Sequence, residues 1–283
     1  MSRPAMDRPA VKAPAAEAEG HVDVPVEADV GTEADAAFLG LRFAPLDEAA
    51  ACDWVVASLR APAFRYLVTP NVDHVVQLHR PGDPGRARLW QAYEEADLRL
   101  CDSRILALLA RRSGIGLPVV AGSDLTARLL ASALPAGTRI ALVGGDEAER
   151  RWLAAARPEA QVFHHHPPMG LRTDPAAQAV VAAFVEEVRP HLTLLTVGAP
   201  QSEMIAHLIK ARGRAGGVAL CVGASLEFLT GRKRRAPRFV QAAKMEWAFR
   251  LASEPRRLWR RYLVEGPAIF GIWWRWRRQR PGG

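Results

Sequence analysis

The sequence predicts an α/β fold built on a mainly parallel sheet, and three observations carry that prediction. Short apolar runs alternate with longer amphipathic segments from about Phe38 onward, the pattern of strands linked by helical crossovers. The short runs are apolar at nearly every position, as strands covered on both faces are. Polar and glycine-containing clusters follow several of these runs, where strand ends meet helix starts.

Taken in order, the strand segments are "FRYLVT" (64–69), "LRLC" (98–101), "RIALVG" (139–144), "AQVFHH" (160–165), "LTLLTVG" (192–198) and "VALCVG" (218–223). The helical segments are "VDHVVQLHR", "SRILALLARR", "SDLTARLLASAL", "DEAERRWLAAA", "AAQAVVAAFVEEV" and "QSEMIAHLIKAR". Residues 1–37 are rich in Ala, Pro, Glu and Asp and nearly lack large apolar side chains, so a disordered segment or tether is expected there. The α/β domain is expected over 38–230 and a basic amphipathic appendage over 231–283.

Charge divides along the same line. The chain carries a net +8, yet residues 231–283 hold fifteen Lys/Arg against three Glu, a net +12 that leaves −4 for the rest. A near-neutral body with a basic tail points to a polyanionic surface or substrate near the C-terminus. The cysteines Cys52, Cys101 and Cys221 lie far apart with no CxxC pair, which fits a reducing compartment. A charged start followed by an apolar core is missing, so no secretory leader is expected. No uncharged apolar run reaches the ~18 residues that span a bilayer.

Four polar clusters fall at strand ends. Thr69–Asn71 ("TPN") and Asp102 ("CDSR") each precede a helix, where a turn or helix cap is the plainer explanation. A base that deprotonates a sugar hydroxyl must reach an open cleft from a rigid element, and a strand-end Asp102 could do so. Gly144 and Gly145 ("LVGGDEAER") end a strand at a helix start, where backbone N–H groups favour phosphate. Gly198, Pro200, Gln201, Ser202 and Glu203 ("VGAPQSE") lie between a buried strand and a helix, with Pro200 suited to the first turn and Glu203 to the positive end of the dipole. His164–His166 would alternate faces of a strand, so no metal site is expected.

The tail contains "EPRRLWRRYLVEG". From a helix start near Ser253 or Glu254, Leu258, Trp259, Tyr262 and Leu263 form one apolar stripe flanked by Arg256, Arg257, Arg260 and Arg261. Further on, Trp273, Trp274 and Trp276 sit beside Arg275, Arg277 and Arg278. A basic amphipathic helix with such aromatics suits an anionic membrane surface; packing of Leu258, Trp259 and Tyr262 on the core is the plainer alternative.

These motifs resemble the WecG/TagA/CpsF family of bacterial glycosyltransferases over about Phe38 to Phe270. The most specific stretch is Thr230–Leu263, with Gly231, Arg235-Ala236-Pro237, Glu246-Trp247, Arg250-Leu251, Glu254-Pro255, Arg257, Arg260 or Arg261, and Tyr262 on the family pattern. "AGSDL" (121–125) and "VGAP" are further matches. The resemblance implies inverting, metal-independent transfer of a sugar from a nucleotide-diphosphate donor to a polyprenyl-diphosphate-linked acceptor, with no cofactor. It also implies Asp102 as base, with Thr69 and Asn71 in the active site. The chain departs from the family at Val119-Val120, where members usually have Arg, and at Gln201-Ser202, where Lys-Gln is common.

The expected fold is thus a Rossmann-like sheet flanked by helices with a basic helical C-terminal appendage. The expected activity is glycosyl transfer to a lipid-linked acceptor at the inner face of the bacterial cytoplasmic membrane. Gly144, Gly145 and the tail's Arg235, Arg257, Arg260 and Arg261 are expected to meet the diphosphate. Nucleic acid is not an expected partner, and a homo-oligomer is left open. The rival classes are a basic nucleic-acid-binding protein and a nucleotide-dependent oxidoreductase, which lacks its dinucleotide fingerprint here.

Overall fold

A computed structural model describes residues 35–233 and 246–279. Six parallel strands form the central sheet in the order β4-β3-β8-β7-β5-β6. They are β3 (Arg65–Val68), β4 (Leu98–Arg99), β5 (Arg139–Val143), β6 (Gln161–His165), β7 (Leu192–Leu195) and β8 (Val218–Cys221), every one inside a segment expected from sequence. Strands β5, β7 and β8 are almost wholly buried, as predicted. Strand β6 departs from that expectation: it is half exposed because it closes one edge of the sheet.

Two strands precede the sheet. Strands β1 (Ala36–Phe38) and β2 (Leu41–Phe43) pair as an antiparallel hairpin. Its turn residues Leu39 and Gly40 both have positive φ, +53° and +84°, the geometry that matches hairpin twist. Phe38, Leu41 and Phe43 are buried beneath it.

The helices cover both faces. One face receives α2 (Val72–Leu78), α3 (Arg86–Glu94), α4 (Arg104–Arg111), α7 (Pro175–Val188) and α8 (Gln201–Arg212). The other receives α1 (Glu48–Ser58), α5 (Gly122–Arg128, prolonged by a π-helical turn), α6 (Glu147–Ala156) and α9 (Ser225–Leu229). Strand β3 thus sends its helix α2 to one face, while its neighbour β8 sends α9 to the other. That divergence opens a crevice at the carboxyl ends of β3 and β8, the usual ligand site of an open α/β sheet.

The basic tail is helical where described: α10 (Glu246–Ser253), α11 (Pro255–Trp259, continuing as a π-helical turn over Arg260–Glu265) and α12 (Ala268–Arg278). Pro255 opens α11, where its missing N–H costs nothing. The tail is no detached appendage. Ile269 and Ile272 of α12 join the core, the Trp273 indole donates to the Ser113 hydroxyl at 2.9 Å, and Trp276 meets Phe38 edge to face at 5.1 Å. Burial of each isoleucine contributes about 1.5–3 kcal/mol. No helix among the described residues is long and apolar enough to cross a membrane.

Candidate active site

Helix caps take up some of the polar residues at the strand ends and not others. After β3, Asn71 caps α2: its side-chain oxygen accepts from the N–H groups of Asp73 (3.0 Å) and His74 (3.4 Å). After β4 the cap is Ser103, whose hydroxyl accepts from Leu106 N–H at 3.2 Å. Asp102 is therefore spared the capping role that its sequence position suggested. Its carboxyl instead accepts from the Gly122 N–H at the start of α5, 3.5 Å away. A side chain on Gly122 would come within 3.3 Å of Thr69 Oγ1 and 3.4 Å of Val222, so a bare backbone keeps this wall thin.

These groups face a cleft of about 390 Å³. Its lining brings together Thr69, Asn71, Asp102, Gly198 and Glu203 from the predicted motifs, with Arg250 and Arg261 from the tail. Arg261 reaches in to pair with Asp73 at 3.3 Å, and its Nε has no hydrogen-bond partner. Arg250 stacks over the Phe228 ring. Lys233, paired with Glu227, also lines the cleft. Val119, one of the pair Val119-Val120 noted above as a departure, is 40% exposed on the same lining.

Other expected contacts are not brought to the cleft. Gly144 and Gly145 lie outside its lining. The Gly144 N–H is spent on His165 O at 2.9 Å. The start of α6 is filled by its own capping box, Asp146 to Glu149 N–H at 3.0 Å and Glu149 to Asp146 N–H at 2.9 Å. Two carboxylates thus occupy the helix end that a phosphate would need. The bonds to Glu149 N–H and Arg232 hold the Asp146 carboxyl below its ordinary pKa. Within "VGAPQSE", Ser202 is buried and donates to Leu195 O at 3.2 Å, while Pro200 is buried after a cis peptide bond. Neither they nor Gln201 lines the cleft, and Ser202 is spent on β7.

In the tail, Arg260 is exposed and away from the cleft. Arg235 lies outside the described residues, as does the side chain of Arg257. His164 and His166 bond the carbonyls of Gly144 and Gly145. No group of three or more His, Cys, Asp or Glu able to hold a metal ion occurs among the described residues.

The predicted apolar stripe of the tail divides. Leu258 is buried and lines the cleft, whereas Trp259, Leu263, Val264, Phe270 and Trp274 are exposed. The turn between α11 and α12 bounds a second, more apolar groove of about 470 Å³, lined by Val72, Ile105, Trp247, Tyr262, Leu263 and Phe270 among others. Asn71, Asp73, Asp102, Ser103, Arg104, Arg250 and Arg261 line both cavities. Sequence reasoning missed His74, which also lines the cleft; it lies on an apolar helix three residues after a cap, with no motif of its own.

A comparison with protein families agrees with this geometry. Residues 36–282 match the model described as glycosyl transferase WecG/TagA/CpsF family, a span that takes in the sheet, the cleft and the basic tail, and the chain belongs to that glycosyltransferase family.

Proposed function

We propose that the protein is an inverting glycosyltransferase that moves a sugar from a nucleotide-diphosphate donor to a polyprenyl-diphosphate-linked acceptor in bacterial surface polysaccharide assembly. The observation that carries this reading is the wall that the two cavities share: a polar cleft with a carboxylate and arginines adjoins a more apolar groove at the tail. One molecule carrying a sugar, a diphosphate and a hydrocarbon chain fits such a sequence of surfaces.

In this reading Asp102 accepts the proton of the acceptor hydroxyl. The oxygen attacks the anomeric carbon from the side opposite the leaving nucleoside diphosphate, which inverts the centre. The Gly122 N–H holds the Asp102 carboxyl in place. Thr69 and Asn71 flank it on the cleft wall. Arg250, Arg261 and Lys233 supply positive charge for the departing diphosphate, a task that arginine forks perform well.

The exposed aromatic and aliphatic side chains of α11–α12, with Arg256, Arg260, Arg275, Arg277 and Arg278 exposed nearby, suit the surface of an anionic leaflet. The protein would act there as a peripheral enzyme at the inner face of the cytoplasmic membrane.

The test is a transfer assay with a panel of nucleotide sugars and a short-chain polyprenyl-diphosphate-linked sugar. Nucleoside diphosphate should be released only when donor and acceptor are both present. Thermal stabilisation by oligonucleotides and by none of the nucleotide sugars would instead favour a nucleic-acid-binding protein.

A further inference from the structure

The floor of the cleft holds two buried polar groups, each with one atom that lacks a partner. Glu203, in the first turn of α8, is 1% exposed, and His74 of α2 is 8% exposed. Both line the cleft, and neither Glu203 Oε2 nor His74 Nδ1 has a hydrogen-bond partner. Leaving such atoms dry and unpaired is costly, so a bound group that satisfies both gains from their exposure to it.

Their hydrogen-bonding roles follow from their neighbours. The Asn71 side-chain oxygen is committed to two backbone N–H groups, so its amide faces His74 Nε2 as a donor, at 3.5 Å. His74 Nε2 then accepts, and the hydrogen resides on Nδ1. Burial, reinforced by the Arg261 cation, lowers the His74 pKa to about 3, so the ring is a neutral donor. Tyr93 lies between the two groups: its ring meets His74 edge-on at 6.0 Å, and its hydroxyl bonds the Glu203 carboxyl. Burial pushes the Glu203 pKa up to about 7. The thiol of Cys221 beside it is held protonated by burial and by that carboxyl.

Charge in the cleft is thus sorted. Arg261, Arg250 and Lys233 come from the tail and Arg104 from α4, with Asp73 paired to Arg261. The floor beyond them presents a carboxyl group, a neutral imidazole and a thiol. An anion placed there would lose its water against a carboxyl group.

We propose that Glu203 and His74 form a subsite for an uncharged group of the transferred sugar, a hydroxyl or amide that accepts from His74 Nδ1 and bonds Glu203 Oε2, and that this floor disfavours a sugar carboxylate. The donor is then a neutral hexose or N-acylated hexosamine ester rather than a hexuronate. This inference rests on the glycosyl-transfer reading above.

The experiment is calorimetric titration of the full chain. UDP, GDP and dTDP are compared first; the best binder is then followed by its neutral hexose ester and its hexuronate ester. The wild type should bind the neutral ester about tenfold tighter than the hexuronate. Glu203→Leu and His74→Phe should each weaken the neutral ester about tenfold while the bare nucleoside diphosphate stays within about twofold. Glu203→Gln, which keeps the shape and the hydrogen bonds, should restore the neutral ester. Equal or tighter binding of the hexuronate overturns the subsite, as does equal weakening of ester and nucleoside diphosphate by both variants; in either case glycosyl transfer still stands. If no nucleoside diphosphate or sugar ester binds at all, both readings fall together.

Discussion

The Asp102 carboxyl lies 3.5 Å from the Gly122 backbone N–H, across the junction between the end of β4 and the start of α5. The neighbouring Ser103, not Asp102, holds the helix cap. A carboxylate relieved of capping and set in a cleft wall, with the Gly122 N–H donating to it, is placed to take a proton.

Asp102→Asn should therefore lower kcat by about 10²–10⁴. Thermal stability should change little, because the α4 cap is intact. Steady-state transfer kinetics and a melting curve check both halves. Near-normal turnover would remove Asp102 from the chemistry.

The buried floor gives a pH prediction with opposed signs. His74, lowered from 6.5 to about 3, contributes stability that is present above pH 6.5 and lost as pH falls through that window. Glu203, raised from 4.5 to about 7, contributes stability that is present below pH 4.5 and lost as pH rises toward 7. Between pH 4.5 and 6.5 the two slopes offset, each near about 1.4 kcal/mol per pH unit. His74→Phe should gain stability on acidification relative to Glu203→Gln, as read by urea unfolding across that range. Parallel stability curves for the two variants would contradict the assignment.

Chelators should leave transfer unchanged. The histidines that invite a metal have bonds to the Gly144 and Gly145 carbonyls. Activity lost in EDTA and regained with Mg²⁺ or Mn²⁺ would refute this.

The tail should bind membranes through its exposed side chains and stabilise the fold through its buried ones. Replacing Trp259 and Trp274 by Ser should weaken flotation with anionic vesicles about tenfold, at little cost in melting temperature. Ile269→Ala should instead cost about 2–5 kcal/mol in stability. If the tryptophan variant floats as well as the wild type, the membrane face lies elsewhere.

The sheet strands were legible chiefly because runs such as those of β5, β7 and β8 are apolar and bounded by turn residues. Their carboxyl ends were read too long: Thr69, Gly198, Val222 and Gly223 still look strand-like, yet they leave the ladder and line the cleft. Helix α3 went unread although Leu89, Ala92 and Tyr93 recur at helical spacing, since the element is short and follows the Pro/Gly-rich "RPGDPG". Asp102 was visible as a candidate but inseparable from a cap until Ser103 was seen to fill that place. His74 and the burial of Ile269 and Ile272 depend on which distant elements meet, and local periodicity carries no such information.

Core residues borne by α12 also set an order of events during synthesis. When Leu258 has been made but Ile269 and Ile272 have not, the face that includes Phe38 and Ser113 lacks its cover and the groove lacks one wall. A nascent chain at that point can form its sheet but not its finished cleft. Competence for the reaction proposed here therefore arrives in one step with the closing helix, so a partly translated chain would have no completed site for a lipid-linked sugar.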